Sequence, residues 1–241
     1  MKNNLTLLGT NISLALTKDF DQRIAELLNG NGCQQIVTIN PEFLVQAYND
    51  PAYRLILNQA EAATIDGFGL IFMSFLTGQY GQGIRRITGV ELTERLLARA
   101  QADNLRVAII LPDNPLARRS VINEALRQRY PQLSVVVYYE QELAISDPIV
   151  ADVTFVTFGS PRQDIWIAEE KMRHLIKAKV AVGVGGTFDF ISGKIQRAPS
   201  WLRGLGLEWL WRLFLQPKRW RRIINAVIVF PWLVFSVRSK Q

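Results

Sequence analysis

Residues 152–176, DVTFVTFGSPRQDIWIAEEKMRHLI, contain the pattern that decides the fold. The run VTFVTF consists of β-branched and aromatic residues without any charged residue, which is typical of a strand that is buried on both faces. A turn with Gly159 and Ser160 follows, and then a proline opens an amphipathic stretch, as proline commonly does at the start of a helix. The segment therefore predicts one strand–turn–helix unit of a parallel α/β sheet.

The same unit recurs along the chain. The strand-like runs QQIVTI, AATI, LRVAIIL, LSVVVY and KVAVGVG alternate with helix-like stretches such as EFLVQAY, PAYRLILNQA and PLARRSVINEALRQRY. An opening pair, LTLLG and ISLAL, is joined by Gly9–Asn11 and predicts a hairpin. The alternation predicts an α/β, Rossmann-like fold, with a mostly parallel sheet and helices on both of its faces. We expect a catalytic core over residues 1–198 and a basic helical appendage over residues 199–241.

Positive charge is concentrated in that appendage. The chain has 28 basic and 21 acidic residues, a net charge of +7. From Lys194 onward ten basic residues face one acid, Glu208, so this part carries 10 − 1 = +9 and the remainder 18 − 20 = −2. Five of the six tryptophans lie in the same part. Basic residues and tryptophan beside apolar residues are typical of a segment at a membrane surface. The alternative is a helix packed on the core with a solvated basic face.

The apolar end of the chain is short for a transmembrane helix. The run from Ala226 to Phe235 contains Pro231, and it is half of the roughly 20 residues that a spanning helix needs. The first residues lack the features of a secretion signal, and the single cysteine, Cys33, allows neither an intrachain disulfide nor a thiolate metal cluster. We therefore expect a cytoplasmic protein that is peripheral on the inner face of the membrane.

Polar residues follow several predicted strands, where ligands of parallel sheets bind. They are Thr38, Asn40, Asp66, Gly159, Ser160, Gln163, Gly185, Gly186, Thr187 and Asp189, joined by Arg85 and Arg86 on the loop before a helix. Carboxylate, amide, hydroxyl and guanidinium groups together suit a polyhydroxylated anionic ligand, such as a sugar nucleotide. The glycines of GVGG permit either a tight turn or the close approach of a phosphate.

Other motifs are weaker indications. Asp19-Phe20-Asp21 has the D-x-D pattern of metal-dependent glycosyltransferases, but it opens an amphipathic helix, where acidic residues stabilise the helix dipole. His174 is surrounded by basic residues and is expected on a solvated face. The chain has no G-x-x-x-x-G-K-[ST] motif, and the missing G-x-G-x-x-G turn weakens an NAD-dependent dehydrogenase. We expect neither a metal ion nor a cofactor.

Six blocks of the sequence together resemble one known family. In order, they are TINPEFL, IDGFGL, RRITG, FGSPRQDIWI, GVGGTFDFISGKIQRAPSW and GLEWLWRLFLQPKRWRR. Their order and spacing, from about Ile36 onward, are similar to the WecG/TagA/CpsF family, glycosyltransferase family 26. The resemblance implies an inverting, metal-independent enzyme of cell-surface polysaccharide or teichoic-acid-type synthesis. Such enzymes move N-acetylmannosamine or its uronic acid from a UDP-sugar to the 4-hydroxyl of polyprenyl-diphosphate-linked N-acetylglucosamine.

The resemblance also implies roles for individual residues. Asp66 matches the proposed general base, and the alternative for it is a helix N-cap before GFGLIF. Arginines of the appendage would close over the diphosphate, because without a metal ion the negative charge of the leaving UDP needs cationic partners. The predicted substrate-binding residues are Thr38, Asn40, Arg86, Gln163, Gly186, Asp189, Arg212, Arg219 and Arg222.

Two stretches depart from the family pattern. The strand and turn VAIILPDNP and the stretch VVVYYEQELAISDP lack the glycines expected there, and this leaves the identity of the donor sugar open. One alternative is a transferase of the same fold that uses a different UDP-sugar in exopolysaccharide assembly. Another is a non-enzymatic nucleic-acid-binding module in which the C-terminal appendage, residues 199–241 and named the tail below, binds phosphates with its arginines and stacks on bases with its tryptophans. We expect no nucleic-acid partner, and self-association stays open.

Overall fold

The computed structural model describes residues 4–13, 20–79, 85–143 and 147–238, without the side chains of Asn4, Ser13, Arg203 and Arg238. Asp19 of the D-x-D pattern and most of the glycine-rich loop at residues 78–83 lie outside these ranges.

A six-stranded parallel sheet forms the centre of the described structure. Its strands are β3 Gln34–Ile39, β4 Ala62–Ile65, β5 Arg106–Leu111, β6 Ser134–Tyr139, β8 Val153–Val156 and β10 Val180–Gly183. Their order across the sheet is β4-β3-β10-β8-β5-β6, with Val180 of β10 in register with Gln34 on one side and Val153 on the other. The predicted parallel sheet is therefore confirmed, and its central strands are apolar because both of their faces are covered.

Two small strand pairs accompany this sheet. β1 Asn4–Leu7 and β2 Thr10–Ser13 form the expected hairpin, although its turn consists of Leu8 and Gly9, both with positive φ, and Thr10 already belongs to β2. The sequence did not predict the second pair, β7 Ile149–Val150 with β9 Ile176–Lys177. Ile176 was expected in a helix, but that helix ends at Met172, and the exposed His174 has a φ of 57°.

Helices cover both faces of the sheet, as predicted. The helices of the core are α1 Phe20–Leu28, α2 Pro41–Asn49, α3 Pro51–Gln59, α4 Phe68–Leu76, α5 Gly89–Ala102, α6 Arg119–Arg129, α7 Arg162–Met172 and α8 Thr187–Ile191. Side chains of α1, α5, α6 and α8 pack with Ile36 on one face, while α2, α3 and α4 pack with Val37 on the other. Neighbouring strand residues point to opposite faces, so each strand contributes to both layers.

The C-terminal residues are helical and lie against the second of these layers. They form α9 Ser200–Gly204, α10 Glu208–Leu215, α11 Trp220–Ile224, a π-helical turn Asn225–Val229 and α12 Phe230–Arg238. Phe230 is fully buried and Val234 nearly so, both in the cluster that contains α2 and α4. The expected helical appendage is present, and its boundary near residue 199 stays a prediction.

Among the described residues, one helical stretch is long and apolar enough to cross a membrane by length and composition. It runs from Pro217 to Val237, 21 residues, and thus exceeds the ten-residue apolar run on which the sequence-based expectation rested. Pro231 does not end it, because the preceding π-helical turn, in which the Phe230 N–H donates to the Asn225 carbonyl, shifts the hydrogen-bond register.

Candidate active site

A cavity of about 560 Å³ opens at the carboxyl ends of β3 and β10. The connection after β3 leads to α2 on one face of the sheet, whereas the connection after β10 leads to α8 on the other. Connections that diverge in this way leave a crevice between the two strand ends, where ligands of such sheets bind. Core and tail both line it; the tail contributes Glu208, Trp209, Arg212, Arg219 and Arg222.

Asp66 lies in the wall of this cavity, directly after β4. Its backbone N–H donates to the Ile39 carbonyl at 2.7 Å, and its Oδ2 accepts a hydrogen bond from the Gly89 N–H at 3.0 Å. The carboxylate therefore binds the first turn of α5, while Gly67 occupies the N-cap position of α4. Burial raises the pKa of Asp66, although the Gly89 N–H and the charges of Arg212 and Arg86 oppose this. A carboxyl with a raised pKa in a cavity is a suitable general base.

Three arginines of the tail, Arg212, Arg219 and Arg222, form a cluster that lines the same cavity. Burial, followed by the nearby charges of Arg222 and Arg212, lowers the pKa of Arg219 to about 10. The Arg212 guanidinium stacks on the Phe190 ring at 4.6 Å, and its Nε is buried without a hydrogen-bond partner among the described residues. Guanidinium groups held this close to one another favour an anion between them, since the anion would relieve their mutual repulsion.

Two ion pairs join the tail to the core at the cavity. Arg222 Nε lies 2.8 Å from both carboxylate oxygens of Glu42, and its NH2 group lies 2.7 Å from one of them. Arg86 pairs with Glu208 at 3.0 Å. The Glu42 and Glu208 side chains are largely buried, so these contacts are weakly screened by solvent and fix the position of the tail over the cavity.

Other predicted site residues hold the backbone of the cavity wall. Gln163 is buried, and its Oε1 accepts hydrogen bonds from the Gly159 N–H at 3.1 Å and the Gly185 N–H at 2.8 Å. Thr38 Oγ1 donates to the Gly183 carbonyl at 3.0 Å, and Asn40 Oδ1 caps α2. The amide and hydroxyl groups thus maintain the turns after β3, β8 and β10, whatever they also bind.

Next to this wall lies a buried polar network that the sequence did not predict. The Tyr53 hydroxyl donates to Asp164 Oδ2 at 2.9 Å and lies 2.9 Å from Ser160 Oγ, which donates to Gln46 Oε1 at 2.8 Å. Burial raises the pKa of Asp164 to about 7, although the hydrogen bond from Tyr53 opposes this. Ser160 also lines the cavity, so the network supports the turn before α7.

The structure brings most of the predicted residues together. Of the predicted site, Asp66, Thr38, Asn40, Arg86, Gln163, Gly186, Arg212, Arg219 and Arg222 line the cavity. Asp189, which was also predicted, lies outside the described cavity wall, where its Oδ1 accepts from the Ala117 N–H at 3.0 Å. Arg85 lies outside it as well and pairs with Glu91 at the surface. Asp21 of the D-x-D pattern is exposed on α1 and pairs with Arg95.

Sequence reasoning missed the two acids of the ion pairs. Glu208 is the single acid in the strongly basic C-terminal part, and an isolated opposite charge of this kind is a signal for a specific partner. Glu42 follows Asn40-Pro41 at the end of β3, so its place at the cavity could have been predicted from the strand assignment. The aromatic residues Phe68 and Phe72 of α4 also line the cavity. The apolar run GFGLIFMSFL predicts a buried helix, and this prediction is wrong for one side of α4, because Phe68 and Phe72 are about half exposed.

These features define an α/β transferase-like site for an anionic ligand: arginines line the cavity together with the Asp66 carboxylate and with two further carboxylates, Glu42 and Glu208, that are held in ion pairs. The chain belongs to the glycosyl transferase WecG/TagA/CpsF family, whose family model matches residues 5–241. It is therefore a glycosyltransferase, as the sequence blocks predicted.

Curated proteins are similar in sequence to this chain over most of its length. A protein of Bacillus spizizenii (strain W23) is 34% identical over 197 residues, which cover 79% of this chain and 74% of the relative. A protein of Staphylococcus aureus (strain MRSA252) is 29% identical over 215 residues, which cover 85% of this chain and 81% of the relative. Both relatives carry the name N-acetylglucosaminyldiphosphoundecaprenol N-acetyl-beta-D-mannosaminyltransferase.

Proposed function

We propose that the protein transfers N-acetylmannosamine from its UDP derivative to N-acetylglucosaminyl-diphospho-undecaprenol, with inversion at the anomeric carbon. The names of the relatives supply the two sugars and the lipid acceptor. The observation that carries the mechanism is the position of Asp66 in one cavity with Arg212, Arg219 and Arg222.

In this reaction Asp66 takes the proton from the attacking hydroxyl of the acceptor sugar. The hydroxyl oxygen forms a bond to the anomeric carbon as the bond from that carbon to the diphosphate breaks, and UDP leaves with the electron pair. A positioned general base contributes typically 10²- to 10⁴-fold to the rate of such a step. The hydrogen bond from the Gly89 N–H orients the carboxylate and leaves its other oxygen to accept the proton.

The arginines act on the leaving group. Negative charge develops on the diphosphate as the bond breaks, and a preorganised cationic cluster stabilises it without reorganisation. Arg219 and Arg212 suit this role best, because Arg219 lies close to two other arginines and the Nε of Arg212 is buried without a partner among the described residues. Arg222 can join them when the diphosphate competes with Glu42 for its guanidinium.

An enzyme with a lipid-linked acceptor works where the lipid is. We propose that the basic, tryptophan-rich tail from residue 199 holds the protein on the cytoplasmic face of the membrane while its arginines complete the cavity. The tail then serves both membrane attachment and catalysis, and the core from residue 1 to 198 supplies the base.

The test is UDP release from UDP-N-acetylmannosamine with a short-chain lipid-diphosphate N-acetylglucosamine, in the presence of EDTA. Wild-type protein should release UDP only when the acceptor is present, and Asp66→Asn should lower kcat about 10³-fold. The asparagine Oδ1 can still accept from Gly89, so the variant should keep the wild-type melting temperature and should bind UDP at least as tightly as the wild type. Undiminished turnover by Asp66→Asn would contradict the assignment of the base, and release from another UDP-sugar alone would contradict the donor.

A further inference from the structure

Helix α4 carries an apolar stripe on the surface of the core. Phe68, Phe72, Phe75 and Leu76 are 49%, 51%, 67% and 40% exposed, at spacings that place them on one side of the helix. Four large apolar side chains in two turns form a contiguous exposed patch, and such patches mark interaction sites. Phe75 does not belong to the described cavity wall and has no role in the proposed reaction. We name these four residues the α4 stripe.

The α4 stripe continues into an exposed apolar face of the C-terminal helices. Ile228, Trp232 and Phe235 are 62%, 64% and 50% exposed, and α12 contacts α4. The Phe68 ring packs against Gly206, where an added Cβ would lie 2.8 Å from it. Phe72 and Val227 both line the cavity, so each of the two apolar faces borders it.

We propose that α4 is a second membrane-docking element, so that the core itself, and not the tail alone, inserts its apolar face into an anionic bilayer surface. The cavity would then open toward the lipid phase, which gives a lipid-linked acceptor a direct entry; this last step rests on the proposed function.

Charge favours a bilayer over a second copy of the chain as the occupant. Lys218 and Arg221 are exposed beside the apolar face, and the segment from Lys194 onward carries +9. Anionic headgroups attract such a segment, by about 1 kcal/mol for each basic residue near the surface. A symmetric dimer through the same surface would instead bring two strongly cationic segments together.

The test attaches an environment-sensitive NBD probe to single cysteines in the full-length chain, in a Cys33→Ser background. Three proteins carry Phe75→Cys on the α4 stripe, Ile228→Cys on the tail as a positive control, or Val121→Cys on α6 as a negative control. Val121 is 43% exposed and lies in the opposite helix layer. Vesicles of phosphatidylethanolamine and phosphatidylglycerol, with a doxyl-labelled lipid, should shift the emission to the blue and quench it at positions 75 and 228. Position 121 should not respond.

Charge substitutions measure the contribution of the stripe. Phe75→Glu should weaken vesicle partition about tenfold, since it removes a large apolar group from the interface and adds a repelled charge. Val121→Glu should change it less than twofold. Quenching at position 228 without any at position 75 would overturn the proposal, because the tail would then dock alone. The proposal would also be overturned if the wild type sedimented as a dimer, Phe75→Glu sedimented as a monomer, and the wild type did not bind vesicles. The α4 stripe would then contact a second copy of the chain.

The docking result is separable from the proposed function. UDP release with a water-soluble short-chain acceptor, without vesicles, should be the same for Phe75→Glu and wild type, because Phe75 does not belong to the described cavity wall. If the wild type released no UDP, the proposed function would be contradicted. The probe measurements would still show whether α4 inserts into the bilayer.

Discussion

Replacement of Gln163 by methionine tests whether this residue holds the cavity wall together. Its Oε1 accepts from the N–H groups of Gly159 and Gly185, which lie in the turns after two different strands and both have positive φ. Methionine has a similar length and fills the site, so the substitution removes the acceptor and creates little empty space.

The expected loss follows from the two N–H groups that the substitution leaves without this acceptor. A buried donor without a partner costs about 1–3 kcal/mol, and both groups are only partly buried, so we expect about 2–4 kcal/mol in total. The close packing of Gln163 supports this range, since an added Cβ at Gly183 would lie 2.6 Å from its side chain and the amide therefore has little room to move.

The assay is chemical denaturation followed by circular dichroism, with UDP affinity measured on the same proteins. Gln35→Met is the matched control, because Gln35 is 3% exposed and its side-chain Nε2 donates one hydrogen bond, at 3.0 Å, to the Asp164 carbonyl. Gln163→Met should lose about twice the free energy of unfolding that Gln35→Met loses, and its UDP affinity should fall as the two turns loosen.

A different outcome would refute this reasoning. If Gln163→Met were as stable as Gln35→Met or more stable, the two backbone hydrogen bonds would not be what holds the turns. If UDP binding were lost while stability was unchanged, Gln163 would act as a direct ligand of the substrate, as the family resemblance implied.

Three further predictions concern charges. Burial raises the pKa of Asp164 from 3.8 to about 7, so the protonated carboxyl stabilises the folded state below pH 4, and this contribution is lost as the pH rises toward 7. Relative to Asp164→Asn, the free energy of unfolding of the wild type should therefore fall by about 4 kcal/mol over that range. Parallel pH profiles of the two proteins would contradict this. Because burial raises the pKa of Asp66 and a general base must be deprotonated, kcat/KM should fall on the acid side with an apparent pKa above that of an exposed aspartate, about 3.9. An apparent pKa at or below about 3.9 would argue against Asp66 as the base. Glu42→Gln releases Arg222 and removes one negative charge from the cavity. UDP should then bind about three- to tenfold more tightly in calorimetry, and the backbone amides of Pro217–Val237 should exchange their hydrogens faster. Weaker UDP binding would show instead that Glu42 holds Arg222 in its binding position.

The chain itself determined the layers of the fold. The run VAIIL is apolar without alternation, and the run VTFV contains no charged residue, which predicts strands covered on both faces. Prolines at residues 41 and 51 begin α2 and α3, and Asn40 caps the first of them, as local chemistry favours. Because the carboxyl ends of parallel strands meet at one edge, these assignments were enough to place Asp66, Thr38 and Gln163 at one cavity.

Only the tertiary structure decided how the site is held. Asp66 precedes α4 yet binds the first turn of α5, 23 residues further on, and Glu42 meets Arg222 across 180 residues. Likewise a π-helical turn carries the last helix through Pro231, which as a sequence feature predicts an interruption. Periodicity and capping depend on neighbours within one or two turns of the chain, so sequence patterns report them. The partners of charged groups depend on which distant elements pack together, and the burial that raises the pKa of Asp66 does not exist until they do.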